Sequence, residues 1–228
     1  MEIIPGVHRI DGVKGANCYL VILGEKLLLI DTGMPSSGDK ITNYIKEIGK
    51  QPSDISYILL THAHLDHIGS AAETKKVTGA KVAIHTANAS ILRGKSELNP
   101  IEGPFGFISR LMTQLMHFQA VEPDIILEND IEIEGFKIIH TPGHTGGSVC
   151  IYQPGKVIFA GDALRSDSRG NPIPPAKGFS TNLVQANVSL GFIASLEFDT
   201  LLTGHGAPVV GKASVKLKTL VTKTKLDN

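Results

Sequence analysis

The residues best suited to chemistry in this chain are four potential metal ligands within the run Thr-His-Ala-His-Leu-Asp-His at 61–67. They are His62, His64, Asp66 and His67. Three imidazoles and a carboxylate so close together would repel or desolvate one another without a cation, and a bound metal removes that conflict. Imidazole nitrogen and carboxylate oxygen are ligands that zinc, iron and manganese accept without a thiolate. The motif therefore predicts a metal site.

The spacing inside the motif suggests two adjacent metal ions. His62 and His64 are separated by one residue, so in an extended segment both imidazoles project to the same side and can bind one ion. Asp66 and His67 follow where a helix is expected to begin, and a turn there can direct them to a neighbouring position. A binuclear site needs more ligands than these four. The candidates, each next to a glycine and after an apolar strand, are His144, Asp162 and His205.

The elements that must position these residues are short strands separated, in the later part of the chain, by helices. Apolar runs predict strands at 6–11, 17–23, 26–30, 57–60, 81–85, 131–134, 136–140, 148–153, 156–160 and 200–203. Amphipathic patterns predict helices at 37–48, 67–78, 86–93, 106–119, 181–196 and 211–224. The order favours mixed sheets covered by helices. Polar clusters follow several strand ends, so loops leaving one sheet edge can bring distant residues together.

The composition limits the classes of protein to which this chain can belong. The 228 residues fit one domain over 1–228, and 42% hydrophobic residues supply a sizeable core. Lys+Arg and Asp+Glu are both 22, which leaves no excess charge to attract nucleic acid or an anionic membrane. No signal peptide or membrane span is predicted, so a cytoplasmic protein is expected. Cys18 and Cys150 lie in alternating apolar segments and are predicted to be buried strand residues.

These motifs together resemble those of the metallo-β-lactamase-fold superfamily of hydrolases. The run at 61–67, His144 in Pro-Gly-His-Thr-Gly-Gly-Ser, Gly-Asp at 161–162 and Gly-His-Gly at 204–206 occur in the family's order, as does Leu-Ile-Asp-Thr-Gly at 29–33. The resemblance implies an α+β fold, a four-layer αβ/βα sandwich of two mixed β-sheets with helices on the outer faces.

The resemblance also implies a ligand set and two divalent ions, with zinc favoured and iron or manganese as alternatives. One ion would be bound by His62, His64 and His144, the other by Asp66, His67 and His205, with Asp162 bridging. Asp31 would support a ligating imidazole, because metal-bound histidine normally donates its other N–H to an acceptor. Asp66 and a hydroxide that bridges the two ions would carry out catalysis.

The implied reaction is hydrolysis of a thioester, ester or lactone. Two cations about 3.5–4 Å apart lower the pKa of bound water to about 7 and polarise a carbonyl oxygen. Among family activities, the pattern is most similar to hydroxyacylglutathione hydrolase (glyoxalase II). A thiolate with a parent pKa of about 8.5 departs without a strong general acid. The alternatives are a mononuclear-iron sulfur dioxygenase of the same fold and a phosphodiesterase.

Two segments are expected to decide the substrate, which we expect to be a small molecule. An insertion at 94–123 carries an apolar stripe that begins with Phe105 and Phe107, and it forms a lid, a homodimer contact or plain packing. The loop at 165–180 follows Asp162 and is expected to line the substrate cleft. Its Arg165 and Lys177 either meet a substrate carboxylate or are solvated charges.

Overall fold

The computed structural model of the protein describes residues 1–97, 118–128 and 131–226, with side chains described up to residue 223. The chain forms two compact units, Met1–Leu127 and Glu128–Asn228. Each unit has its own mixed sheet and its own helices. This confirms the α+β class, whereas the single domain over 1–228 stays a prediction.

The first unit is built on a seven-stranded sheet in the simple order β1-β2-β3-β4-β5-β6-β7. Its strands are β1 Glu2–Ile4, β2 Val7–Arg9, β3 Tyr19–Leu23, β4 Lys26–Ile30, β5 Ile55–Leu59, β6 Lys81–His85 and β7 Ile125–Leu127. The first four strands pair antiparallel, and β4 to β7 pair parallel. Because parallel strands end at the same edge of a sheet, Asp31 after β4 and the 61–67 run after β5 meet at one edge.

Within residues 1–97 and 118–127, the helices of the first unit are α1 Gly38–Glu47, α2 Leu65–Ile68, α3 Ala71–Thr78 and α4 Thr86–Leu92. A hydrophobic core joins α1 to the sheet through Ile41 and Ile45, which are buried with Leu29. The predicted helix at 67–78 is in fact two helices, α2 and α3. The chain breaks at Ser70, whose hydroxyl accepts a hydrogen bond from the backbone N–H of Ser37 and donates one to the Met34 carbonyl.

The second unit contains a six-stranded sheet in the order β15-β14-β11-β10-β9-β8 and a separate two-stranded ribbon, β12-β13. The strands are β8 Glu132–Ile133, β9 Phe136–His140, β10 Val149–Gln153, β11 Val157–Gly161, β12 Arg165–Ser166, β13 Pro172–Ile173, β14 Thr200–Thr203 and β15 Val209–Val210. Its helices are α5 Leu183–Ser195 and α6 Ala213–Leu226.

Strand direction in the second unit collects three candidate ligands at one sheet edge. Strands β11 and β14 are parallel, and β9 runs the same way because β10 lies antiparallel to both β9 and β11. His144, Asp162 and His205 follow β9, β11 and β14 respectively. The topology therefore places all three beyond the same ends of neighbouring strands.

All ten predicted strands are present. Five strands of two or three residues, β1, β7, β12, β13 and β15, were not predicted, because such short segments show no periodicity. The predicted helix at 106–119 lies almost entirely outside the described residues. At its end, Phe118 is partly buried and packs against the core of the first unit.

Both cysteines are buried and free, which confirms the predicted burial. Cys150 lies in strand β10 as predicted, whereas Cys18 immediately precedes β3 and is not a strand residue. Burial raises the pKa of the Cys18 thiol and raises that of Cys150 to about 12, so neither is a reactive thiolate near neutral pH. Across residues 1–97, 118–128 and 131–226, no helix has the length and apolar character that a membrane span requires.

The loop that carries His144 depends on one glycine. Gly143 has φ +134°, and a Cβ built there would lie 2.2 Å from the backbone nitrogen of Ala186 in α5. The contact is backbone against backbone, so no side-chain rotation relieves it. Gly146, in the same loop, would meet nothing within 4 Å.

We therefore expect Gly143→Ala to destabilise the metal-free protein by about 2 kcal/mol or more, since it combines a backbone clash with an unfavourable φ. For a chain of this size, the melting temperature should fall by about 4 °C or more. Gly146→Ala is the matched control, and thermal denaturation of both variants makes the comparison. Equal melting temperatures for the two would show that the loop yields to the added methyl group.

Candidate metal centre

Three imidazoles of the first unit lie in mutual contact. The ring centroid of His62 is 4.6 Å from that of His64 and 4.0 Å from that of His67. His62 and His67 are fully buried, whereas His64 is half-buried. His64 is the extended residue that precedes helix α2, as predicted from the spacing of the motif.

Asp66 joins this group from the first turn of α2. Its Oδ2 lies 4.0 Å from Nε2 of His67, and its side chain is 28% exposed. The structure thus brings His62, His64, Asp66 and His67 together within the first unit. Buried imidazoles at this density suit a cation, because protonating them together would place several positive charges in one desolvated space.

The Asp31 carboxylate organises this group. It is 2% exposed, and it accepts three hydrogen bonds. Oδ1 accepts the Thr61 backbone N–H at 2.8 Å, and Oδ2 accepts the Thr61 hydroxyl at 2.8 Å and Nδ1 of His67 at 2.7 Å. With its Nδ1 proton assigned to Asp31, His67 presents the lone pair of Nε2, which is the atom that faces Asp66.

The Thr61 hydroxyl extends the same network to a second imidazole. Because its proton is donated to Asp31, its oxygen is free to accept from Nδ1 of His62, at 3.1 Å. That bond fixes the Nδ1–H tautomer of His62 and leaves its Nε2 lone pair for a ligand. The sequence motif did not identify Thr61, although its position immediately before His62 was a usable signal.

The candidate ligands of the second unit converge on one oxygen. Oδ2 of Asp162 lies 3.6 Å from Nε2 of His144 and 3.4 Å from Nε2 of His205. His144 is buried, Asp162 nearly so, and His205 is the most exposed of the three. Imidazole nitrogens around a carboxylate oxygen form a donor set that zinc, iron and manganese accept, so these residues fit a divalent ion.

Hydrogen bonds within the second unit hold the His144 loop in place. Thr145 donates its backbone N–H to the Ser148 hydroxyl at 3.0 Å, and the His144 carbonyl accepts the Thr181 N–H at 3.0 Å. His140 contacts the Gly146 carbonyl at 2.8 Å through Nε2 and so braces this loop. The sequence did not predict this contact of His140.

The residues predicted to contact substrate are only partly described. Arg165 is half-buried on β12, and Lys177 is exposed at the start of a 3-10 turn, Lys177–Phe179. Phe105 and Phe107 lie outside the described residues. The roles of all four stay predictions, and so does the homodimer contact through 94–123.

Comparison with known proteins identifies the family. The family model described as "Metallo-beta-lactamase superfamily" matches residues 11–205. A Bacillus subtilis (strain 168) protein called "Probable metallo-hydrolase YflN" is 30% identical over 239 residues, covering 92% of this chain and 88% of that protein. An "N-acyl homoserine lactonase" from Bacillus sp is 25% identical over 216 residues, covering 82% of this chain and 80% of that protein.

Solved structures agree on the fold. A metallo-β-lactamase family protein from Thermus thermophilus has a TM-score of 0.73 at 20% identity, covering 99% of this chain and 81% of that one. BJP-1, a subclass B3 metallo-β-lactamase of Bradyrhizobium japonicum, has a TM-score of 0.73 at 24% identity, covering 100% of this chain and 90% of that one.

The chain belongs to the metallo-β-lactamase superfamily. Its fold is the metallo-β-lactamase fold, which confirms the fold class predicted from the sequence. At this level the predicted chemistry is confirmed as well, since the protein is a metal-dependent hydrolase of this superfamily.

We expect Thr61→Val to weaken metal binding about 10- to 100-fold, the usual cost of losing a group that orients a ligand. Valine keeps the shape of threonine but neither donates to Asp31 nor accepts from His62. Thr61→Ser restores the hydroxyl and should restore affinity. The measurement is chelator competition with Zn²⁺, together with the visible spectrum of Co²⁺-loaded protein. An unchanged spectrum and affinity in Thr61→Val would show that the hydroxyl does not position His62.

Proposed function

We propose that this protein is a binuclear metallohydrolase that cleaves the carbonyl–oxygen or carbonyl–sulfur bond of a lactone, ester or thioester. The observation that carries the proposal is the position of Oδ2 of Asp162 between Nε2 of His144 and Nε2 of His205. Both distances, 3.6 and 3.4 Å, exceed an ordinary N–H···O hydrogen bond. They suit an oxygen that shares one ion with each imidazole.

Metal–ligand bond lengths make this argument quantitative. With bonds of about 2.0–2.1 Å in a tetrahedral arrangement, two ligand atoms of the same ion lie about 3.3–3.4 Å apart. The Asp162 oxygen is close to that separation from both imidazole nitrogens. By contrast, Asp31 lies 2.7 Å from Nδ1 of His67, which is the distance of a charge-assisted hydrogen bond. The two carboxylates are thus suited to different tasks.

We propose the ligand set that the family resemblance implies. One ion is assigned to His62, His64 and His144, and the other to Asp66, His67 and His205, with Asp162 bridging. The Asp31 carboxylate accepts a hydrogen bond from His67, and the Thr61 hydroxyl accepts one from His62, so each holds an imidazole in its orientation. We propose zinc as the ion, because the set contains mainly imidazoles and no thiolate.

Divalent ions bound there would lower the pKa of water and polarise the carbonyl oxygen of the substrate. Among the carboxylates, Asp66 is the one positioned to exchange a proton with solvent, since its side chain is 28% exposed and that of Asp162 is 10% exposed. We assign Asp66 this second role beside metal binding. Asp162 is more enclosed and is assigned to bridging alone.

Two arguments rank the candidate substrates. The N-acyl homoserine lactonases among the relatives support a lactone as the first candidate. A thioester of the hydroxyacylglutathione type is the second, because a thiolate leaves without a strong general acid. Both reactions use the same nucleophile and the same polarised carbonyl.

The first test is hydrolysis by metal-loaded protein of a panel of lactones, thioesters, esters and phosphodiesters, with metal content measured on the same sample. We expect two divalent ions per chain and turnover of at least one carbonyl compound. One iron per chain without hydrolysis of the panel would contradict the proposal and favour the dioxygenase. Turnover of phosphodiesters alone would contradict the proposed substrate class.

The second test separates the bridging ligand from the others by metal stoichiometry. Asp162→Ala should weaken the binding of both ions. His144→Ala should weaken the binding of one ion more than that of the other. His62→Ala and Asp66→Ala should each lower metal content and activity together. His8→Gln is the control, because His8 contacts Tyr44 at 3.0 Å and belongs to no proposed ligand group. Two ions retained at full affinity in Asp162→Ala would exclude bridging by that residue.

A further inference from the structure

Helix α5 is apolar on two opposite faces. Its inner face lies in the core of the second unit, where Leu190 and Ile193 are buried. Its outer face carries Val184, Val188 and Phe192, whose exposed fractions are 77%, 61% and 49%. An outer helix normally presents polar residues to water, whereas a helix that is apolar all round is normally buried. The outer face of α5 therefore calls for a surface that covers it.

The outer face of α5 also carries no charge. Asp, Glu, Lys and Arg are all absent between Lys177 and Glu197, although 19% of the chain is charged. Helix α1 shows the ordinary arrangement, since its exposed residues include Asp39 and Lys40. An uncharged face gives no electrostatic attraction to nucleic acid or to a charged peptide. Its match is another uncharged, apolar surface.

The apolar residues of the outer face form a ridge beside a line of smaller side chains. Val184, Val188 and Phe192 recur every four residues and so lie in one line along the helix. The neighbouring line with the same spacing consists of Asn187, Gly191 and Ser195. A Cβ built on Gly191 would meet nothing within 4 Å, so the space above this second line is open. The ridge therefore projects beyond its neighbour.

A groove flanks the ridge on its other side, between α5 and strand β9. Its volume is about 690 Å³, and its walls include Val188 and Phe192 from the helix. The opposite wall includes Ile139 of β9 and Pro142 of the loop that follows. The ridge thus stands between two depressions. Projecting side chains next to depressions are the elements of helix packing by ridges into grooves.

We propose that the outer face of α5 is a homodimer contact, in which a second copy of this chain presents the same face across a twofold axis. In such a contact the ridge of each copy lies on a depression of the other, so one surface supplies both parts. Because the face is uncharged, self-association brings no like charges together. Val188 is the centre of the ridge and lies nearest the axis. This surface is separate in sequence from the 94–123 insertion.

The test is the oligomeric state of the zinc-loaded 228-residue chain. We expect a monomer–dimer equilibrium in sedimentation velocity between about 1 and 300 µM, since one helix face is smaller than a standard interface of about 800 Å² per partner. Val188→Glu should raise the dissociation constant of the dimer about 100-fold or more, because it places two carboxylates opposite each other. Val188 is exposed, so the variant should keep the zinc content and circular dichroism spectrum of the wild type.

Two further variants make the result specific. Val77→Glu is the matched control, because Val77 is 57% exposed but lies on helix α3 of the first unit, and it should leave the dimer unchanged. Val188→Lys should be monomeric by itself, like Val188→Glu. An equimolar mixture of these two variants should dimerise again, because unlike charges then face each other across the axis. A mixture that stays monomeric would contradict the twofold contact at Val188.

Three other results would overturn the inference. The first is a wild type that is monomeric throughout the concentration range. The second is a dimer that persists in Val188→Glu, which would locate the contact on another surface. The third is a monomer that cosediments with neutral phosphatidylcholine vesicles unless Val188 is replaced by glutamate, which would assign the face to lipid. The oligomeric state is measured without substrate, so failure of the proposed hydrolase function is a separate outcome.

Discussion

The first unit depends on one buried carboxylate, that of Asp31. A charged group with 2% exposure is costly unless donors surround it, and three hydrogen bonds from Thr61 and His67 supply that compensation. Asp31 also has φ 59°, in the left-handed region that few residues other than glycine adopt. Such a conformation persists only when the surrounding contacts over-determine it. Here the contacts are those that orient the candidate metal ligands, so local strain and the organisation of the site have one cause.

The parallel pairing of β4 with β5 makes these contacts possible. Both strands end at the same edge, so the residues that follow them become neighbours although they are thirty positions apart in sequence. The same logic operates in the second unit, where β9, β11 and β14 end at one edge. In each unit the sheet supplies a rigid edge and the loops supply the chemistry. The ligand residues need no long element of their own; α2, which carries Asp66 and His67, has only four residues.

The sequence was sufficient to predict the strands that carry the site, because each contains an apolar run of at least four residues. It was sufficient for the family as well, since the run at 61–67 has few other physical explanations. It was not sufficient for Thr61, because the role of a hydroxyl depends on which acceptor lies beside it. Nor did periodicity reveal the break at Ser70, which arises from contacts with a loop thirty-three residues away.

Ligand residues and substrate residues differ in how far a sequence can specify them. A metal accepts a small set of donor atoms at nearly fixed distances, so candidate ligands can be recognised from residue type and spacing. A substrate is recognised by the charge, burial and hydrogen bonding of loop side chains, and residue type alone reveals none of these. Burial is one such property: Arg165, Arg169 and Lys177 are basic residues of one loop, and only the structure shows that Arg165 is half-buried while the other two are exposed. The reaction class therefore follows from the family, whereas residue types in the loops do not by themselves identify the substrate.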